Sequence, residues 1–185
     1  MKYLVVPFLT IFLFGAAFAS DYGVGVSTRS GNPSIYLPIN ISDKFRIEPV
    51  LAHYEYSATS SGTEYKSKRT DLMLGFFGRT ISSESISTYY GGRIGYSSNE
   101  NGYVTEFGVN ETEEDGYIIE PIMGFEYHFI NNLTLGGEVS FRYSKFDGKT
   151  TVISNEDANG NRDGEFKSNS TTNTTVSNVV LRYIF

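Results

Sequence analysis

Six ionisable residues are spaced so that neighbouring extended segments could bring opposite charges together. Glu120 and Arg142 fall at about the same height on adjacent segments, Glu138 and Arg182 about two positions apart, and Glu126 below Arg93. An unpaired charge in a low-dielectric interior is strongly penalised, so this spacing predicts an Arg–carboxylate ladder. The same lining of charge would also suit a narrow ion path. Catalytic material is scarcer. His53 and His128 are the only histidines, and they are followed by Tyr54-Glu55 and Phe129-Ile130. Neither has a serine two residues on, so no His–Ser nucleophile pair is evident and no enzyme is expected. Cysteine is absent, which removes disulfides, thiolate metal sites, a Cys nucleophile and a lipid-modified Cys anchor. Asp157, Asn159, Asn161 and Asp163 place oxygens at every second residue, as calcium loops do. Arg162 occupies the position that such loops give to Gly, and the distal Glu is missing at its offset, so a solvated loop is expected there. No metal or cofactor is expected.

The elements that would position these charges are strands. From Leu133 to Ser144, Leu133, Leu135, Gly137, Val139, Phe141 and Tyr143 alternate with Thr134, Gly136, Glu138, Ser140, Arg142 and Ser144. Such period-two alternation is a strand with one apolar and one polar face. Tyr117 to Phe129 repeats it, and Asn131-Asn132 between them is a tight-turn signal. Similar alternation over Tyr22–Thr28, Ser34–Ile41, Phe45–Leu51, Asp71–Arg79, Thr88–Ser97 and Ser177–Phe185 completes eight strands. No segment keeps a 3.6-residue period. Short connections at Ser42-Asp43, Ser82–Ser85 and Asn131-Asn132 alternate with long ones at Ala58–Ser67, Asn99–Asp115 and Phe146–Thr172; the Gly31–Pro33 connection is brief.

Met1-Lys2-Tyr3, the apolar Leu4–Phe14 and the small residues Ala17 and Ala19 have the layout of a secretory signal, with cleavage expected after Ala19. Its apolar run is shorter than the ~20 residues that a spanning helix needs. Residues 1–19 are therefore expected to be removed, leaving 20–185 as one domain. With no other long apolar run, a membrane-embedded mature chain would have to be a barrel. Fourteen Tyr, fourteen Phe and nineteen Gly against five Pro suit strands and turns.

Alternation alone does not tell a lipid-facing surface from a buried one. The polar faces carry Arg46, Glu48, Asp71, Arg79, Arg93, Glu120, Glu126, Glu138, Arg142 and Arg182, while the apolar faces carry almost no charge. Those apolar faces end in aromatics: Phe45, Tyr127, Phe129, Tyr183 and Phe185 at one end, Tyr96, Tyr117 and Tyr143 at the other. This pattern predicts an outward apolar band with interfacial girdles, tight turns and termini on the periplasmic side, and long loops outside.

The last segment, Val179 to Phe185, resembles the terminal strand of bacterial outer-membrane proteins, with Leu181, Tyr183 and Phe185 as the alternating apolar series ending in an aromatic residue. The resemblance implies that these three residues are read by the barrel-assembly machinery. The hairpin Gly124–Glu138 is similar to the last periplasmic hairpin of OmpA-like and opacity-type, porin-like barrel domains. The expected fold is an all-β, eight-stranded antiparallel up-and-down transmembrane β-barrel in the outer membrane. Eight strands leave an interior that side chains fill.

The leading expectation for function is a non-enzymatic surface barrel that contacts outer-membrane lipid and binds an extracellular ligand at its outer loops, or simply serves a structural role. A narrow porin-like channel is the alternative. A lipid-A-modifying enzyme is third, since outer-membrane lipid-A deacylases resemble this chain in size but carry the His–Ser spacing that it lacks. The net charge of −6 argues against nucleic acid. Glu106, Glu111, Glu113, Glu114 and Asp115 make the expected third outer loop acidic, which usually means a solvated run. The Asn-x-Ser/Thr triplets at Asn110, Asn132, Asn169 and Asn173 are read as chance.

Overall fold

The computed structural model describes residues 21–29, 32–105, 108–130, 132–154 and 164–185. The signal segment and the Asp157–Asp163 run lie outside them. The described residues form nine strand segments: β1 (Asp21–Arg29), β2 (Asn32–Tyr36), β3 (Ile39–Ser42), β4 (Phe45–Ser60), β5 (Thr63–Ser83), β6 (Ile86–Thr105), β7 (Gly108–Ile130), β8 (Leu133–Ser154) and β9 (Gly164–Ile184). No helix occurs among them. Every pairing is antiparallel, and the ring closes where β1 meets β9, from Gly23 opposite Ile184 to Ser27 opposite Val180.

Nine segments make eight staves, because β2 and β3 are one expected strand broken at Leu37-Pro38. Proline has no N–H for the ladder, so pairing lapses there. The carbonyl of Pro38 still accepts from Gly23 N at 2.8 Å, and Leu37 N donates to Pro49 O at 2.9 Å, which holds the break in the wall.

The expected long outer loops are a correction. Ala58–Ser67 is a hairpin around Ser61-Gly62, and most of Asn99–Asp115 and Phe146–Thr172 is strand. Ser61 (φ 50) and Gly62 (φ 80) both have positive φ, as a two-residue type I′ turn requires. Polar composition suggested loops. Strand persists because each neighbour supplies the backbone ladder, and Thr, Tyr and Val favour the extended chain.

Register aligns the apolar faces into a belt. Leu51, Leu72, Tyr96 and Tyr117 form one cross-strand row, and the next outward row away from the termini is His53, Thr70, Ser98, Asp115 and Asp147. The belt therefore stops within one row. Tyr117 to Phe129 is about 40 Å of strand, which at a tilt of about 45° spans about 25–30 Å, the height of an outer-membrane band. Its side chains point away from the interior and stay open: Tyr90 is 67% exposed, Met123 65% and Val179 61%.

Beyond the belt β4 to β9 continue as a six-stranded extension, while the β1–β2 hairpin ends early. Faces exchange character there. Charge moves to the outer side, where Lys68 meets Glu100 at 3.1 Å and Lys149 meets Glu165 at 2.7 Å. The expected acidic loop is part of β7, with Glu111, Glu113 and Asp115 on that outer side. Glu114 faces inward and accepts from Ser168 Oγ at 2.6 Å, and Glu106 lies outside the described residues.

Candidate functional site: the charged interior

Inward positions on β4, β6, β7, β8 and β9 converge on three arginines and three glutamates. Arg46 grips Glu126 with two bonds of 2.7 and 2.9 Å. Arg93 holds both oxygens of Glu138 at 2.9 Å and reaches Glu48 at 2.7 Å. Arg182 joins all three carboxylates: Glu48 at 2.9 Å, Glu126 at 3.0 Å and Glu138 at 2.8 Å. All six are at most 2% exposed, and their formal charges cancel. A desolvated charge persists only when paired and hydrogen-bonded, and the flat guanidinium fork suits bidentate contact.

Aromatic rings fill the gaps. Arg93 lies 4.9 Å from the centre of the Tyr36 ring and 5.2 Å from that of Phe77; Arg182 lies 5.4 Å from that of Tyr89. Tyr89 also donates to Glu138 at 2.8 Å. Glycine on facing strands makes the room. A Cβ on Gly124 would sit 2.5 Å from Tyr89 Cζ. Gly124→Val is expected to displace that ring, break its bond to Glu138 and lower the unfolding midpoint in urea. An unchanged midpoint would show that the ring has slack.

A second charged group lies towards the far end. Asp71 accepts from Arg69 at 2.9 Å, Arg142 at 3.1 Å and Ser97 at 2.6 Å. Arg142 Nε stands 3.6 Å from Glu120, which also accepts from Ser140 Oγ. Between the two groups Tyr36, Val50, Met73, Ile118 and Val180 pack as an apolar cluster. Tyr36 touches Arg93 below, and Met73 sulfur is 3.9 Å from Arg142 above. A cavity of about 160 Å³ opens above Asp71, walled by Ser34, Ala52, Tyr54, Arg69, Arg142 and Phe146.

The structure thus brings Glu120 to Arg142 and Glu138 to Arg182, but gives Arg93 to Glu48 and Glu138 rather than to Glu126. Arg93 faces Glu120 in the register, and Glu126 lies six positions further down β7, beyond its reach. Arg46, Glu48 and Asp71 are missing from the paired set drawn from the sequence. Each was legible as an inward charge, but partners across the barrel are not neighbours in register.

His53 faces outward, 3.0 Å from Thr70 Oγ1. His128 corrects the sequence reading: its Nε2 is 3.1 Å from Ser87 Oγ, a Ser–His contact made across β6 and β7 that spacing along one strand cannot reveal. Ser87 is fully buried and also donates to Glu126, which is already held by Arg46 and Arg182. A nucleophile needs an approach path and a base oriented towards it. This serine is instead tied into the ion-pair lattice. Among the described residues, no group of three or more Asp, Glu or His side chains is arranged to hold a metal. Leu181, Tyr183 and Phe185 face outward near the termini, with Tyr183 and Phe185 edge to face at 5.2 Å.

No family model matches the sequence, and no curated protein matches it. Solved structures resemble the fold. The chain is similar to a major outer membrane protein from Thermus thermophilus, with TM-score 0.64 and 10% identity over 89% of this chain and 99% of that one. It is also similar to Ail, the attachment invasion locus protein of Yersinia pestis, with TM-score 0.52 and 10% identity over 89% of this chain and 94% of that one. At such identity the likeness is one of fold, and it agrees with the closed antiparallel ring, the apolar belt and the inward charges: the chain has the fold of the small bacterial outer-membrane β-barrels.

Proposed function

We propose that the chain is a non-conducting outer-membrane surface barrel whose interior side chains seal it and whose β4–β9 extension presents a binding surface outside the cell. The observation that carries the closure is the Arg46–Glu48–Arg93–Glu126–Glu138–Arg182 lattice, fully desolvated and capped by an apolar cluster. An ion entering would have to separate pairs held at 2.7–3.0 Å. Membrane placement is supported by the belt of open apolar side chains, which in water would be an exposed patch far larger than soluble monomers tolerate. Outer-membrane lipid is then the partner of that belt, and Leu181, Tyr183 and Phe185 are the residues offered to the assembly machinery.

Purified protein reconstituted in a planar bilayer should give no stepwise current. Discrete steps from pure protein would overturn the sealed interior and favour the narrow channel.

A further inference from the structure

We infer that the inner face of the β4–β9 extension is a binding site for an uncharged oligosaccharide. This deepens the surface-binding role proposed above and rests on that end lying outside the cell. Within the belt, apolar side chains face out and charges face in. Beyond it the order reverses. Tyr54, Tyr56, Tyr65, Tyr103, Phe146 and Phe166 share the inner side with amides and hydroxyls.

One inner row runs Tyr56, Ser67, Asn101, Thr112, Thr150, Phe166, with a ring at each end and hydrogen-bonding groups between. The next inner row holds Tyr65 beside Tyr103, ring centres 6.4 Å apart. Packing explains Phe146, which is buried, but Tyr56, Tyr65, Tyr103 and Phe166 remain about half exposed. With water on both sides of the extension, folding alone gives no reason to gather rings on one face.

The trough formed by Tyr56, Tyr65, Ser67, Asn101, Tyr103 and Asn110 has a volume of about 470 Å³, within the range of small-ligand sites. Its rings offer stacking faces, and its amides and hydroxyls both donate and accept. The charged groups on the inner side of the extension, Arg69 and Glu114, are engaged by Asp71 and Ser168. Lys66, from the outer side of β5, borders the trough and is paired with Glu64 at 3.1 Å. Rings interleaved with neutral hydrogen-bonding groups match a sugar, whose C–H faces stack and whose hydroxyls bond; the bordering cation, Lys66, already has Glu64 as its partner.

The test uses the purified protein folded in micelles, with maltohexaose, cellohexaose and chitohexaose as neutral probes. A heparin hexasaccharide and an extended poly-threonine peptide serve as anionic and peptide probes. Saturation-transfer NMR should show contact to C–H protons of at least one neutral sugar, with affinity insensitive to added salt. Tyr56→Ala and Tyr103→Ala should each weaken it by about tenfold or more, and Tyr56→Phe should retain it. Asn101→Ala should also weaken it, and Glu100→Gln on the outer side should not. Unchanged circular dichroism and melting would show that the variants are folded. Transfer from no neutral sugar, binding of heparin or peptide alone, or ring variants that bind like the parent would overturn the inference. Conductance measured on the same preparation separates the two readings: a barrel that passes ions yet binds the sugar refutes only the sealed interior.

Discussion

Arg182→Met lowers the unfolding free energy by about 3–5 kcal/mol, because removing one member of a buried ion network strands its partners. Arg182 is fully buried and donates to Glu48, Glu126 and Glu138 together. With Arg182 gone, Glu48 and Glu138 are left to Arg93, and Glu126 to Arg46 with Arg79 at 3.5 Å. Arg182→Lys should recover only part of the loss, since an ammonium is a point charge and cannot reach three carboxylates with a planar fork. Reversible urea unfolding in micelles measures both variants. A loss below about 1 kcal/mol for Arg182→Met would place the site among exposed pairs and remove the case for a desolvated interior.

Met123→Lys is expected to cost about 2–4 kcal/mol in a bilayer, the penalty for a cation on the lipid face near the membrane midplane. Met123 lies midway between Tyr117 and Phe129, and its side chain is 65% exposed. In a water-soluble barrel the same change would be close to neutral. Thr151→Lys, on the outer side of the extension, is the control and should stay within about 0.5 kcal/mol, the usual range for surface changes. Folding free energies measured in vesicles distinguish the two environments. Equal, small effects at both positions would mean that no lipid surrounds the belt.

The two variants address different halves of one device. On the proposed reading, lipid outside demands apolar side chains, and a narrow closed ring leaves no room for bulk water inside. Charge inside must then be neutralised by charge, with glycines such as Gly124 making space for the largest side chains.

Residue order by itself determined the strands within the belt, their faces and the belt itself. Val139, Phe141 and Tyr143 against Glu138, Ser140 and Arg142 can satisfy two different surroundings only as a strand, because side chains alternate with a period of two whatever the rest of the chain does. The exchange of faces beyond the belt was equally legible, as charge passes from even positions at Glu138 and Arg142 to odd ones at Lys145, Asp147 and Lys149, but it lay in segments whose polarity suggested loops. Only the tertiary structure decided which charges meet. Arg182 finds Glu48, 134 positions away in the chain, because the ring closes on itself and carries β9 to within reach of β4 across the interior. Alternation fixes the side of the wall on which a residue lies, whereas strand stagger and curvature fix its neighbours across the lumen, and these depend on every strand pairing at once. The same holds for Ser87 and His128, which register brings together and which no spacing along a single strand could reveal.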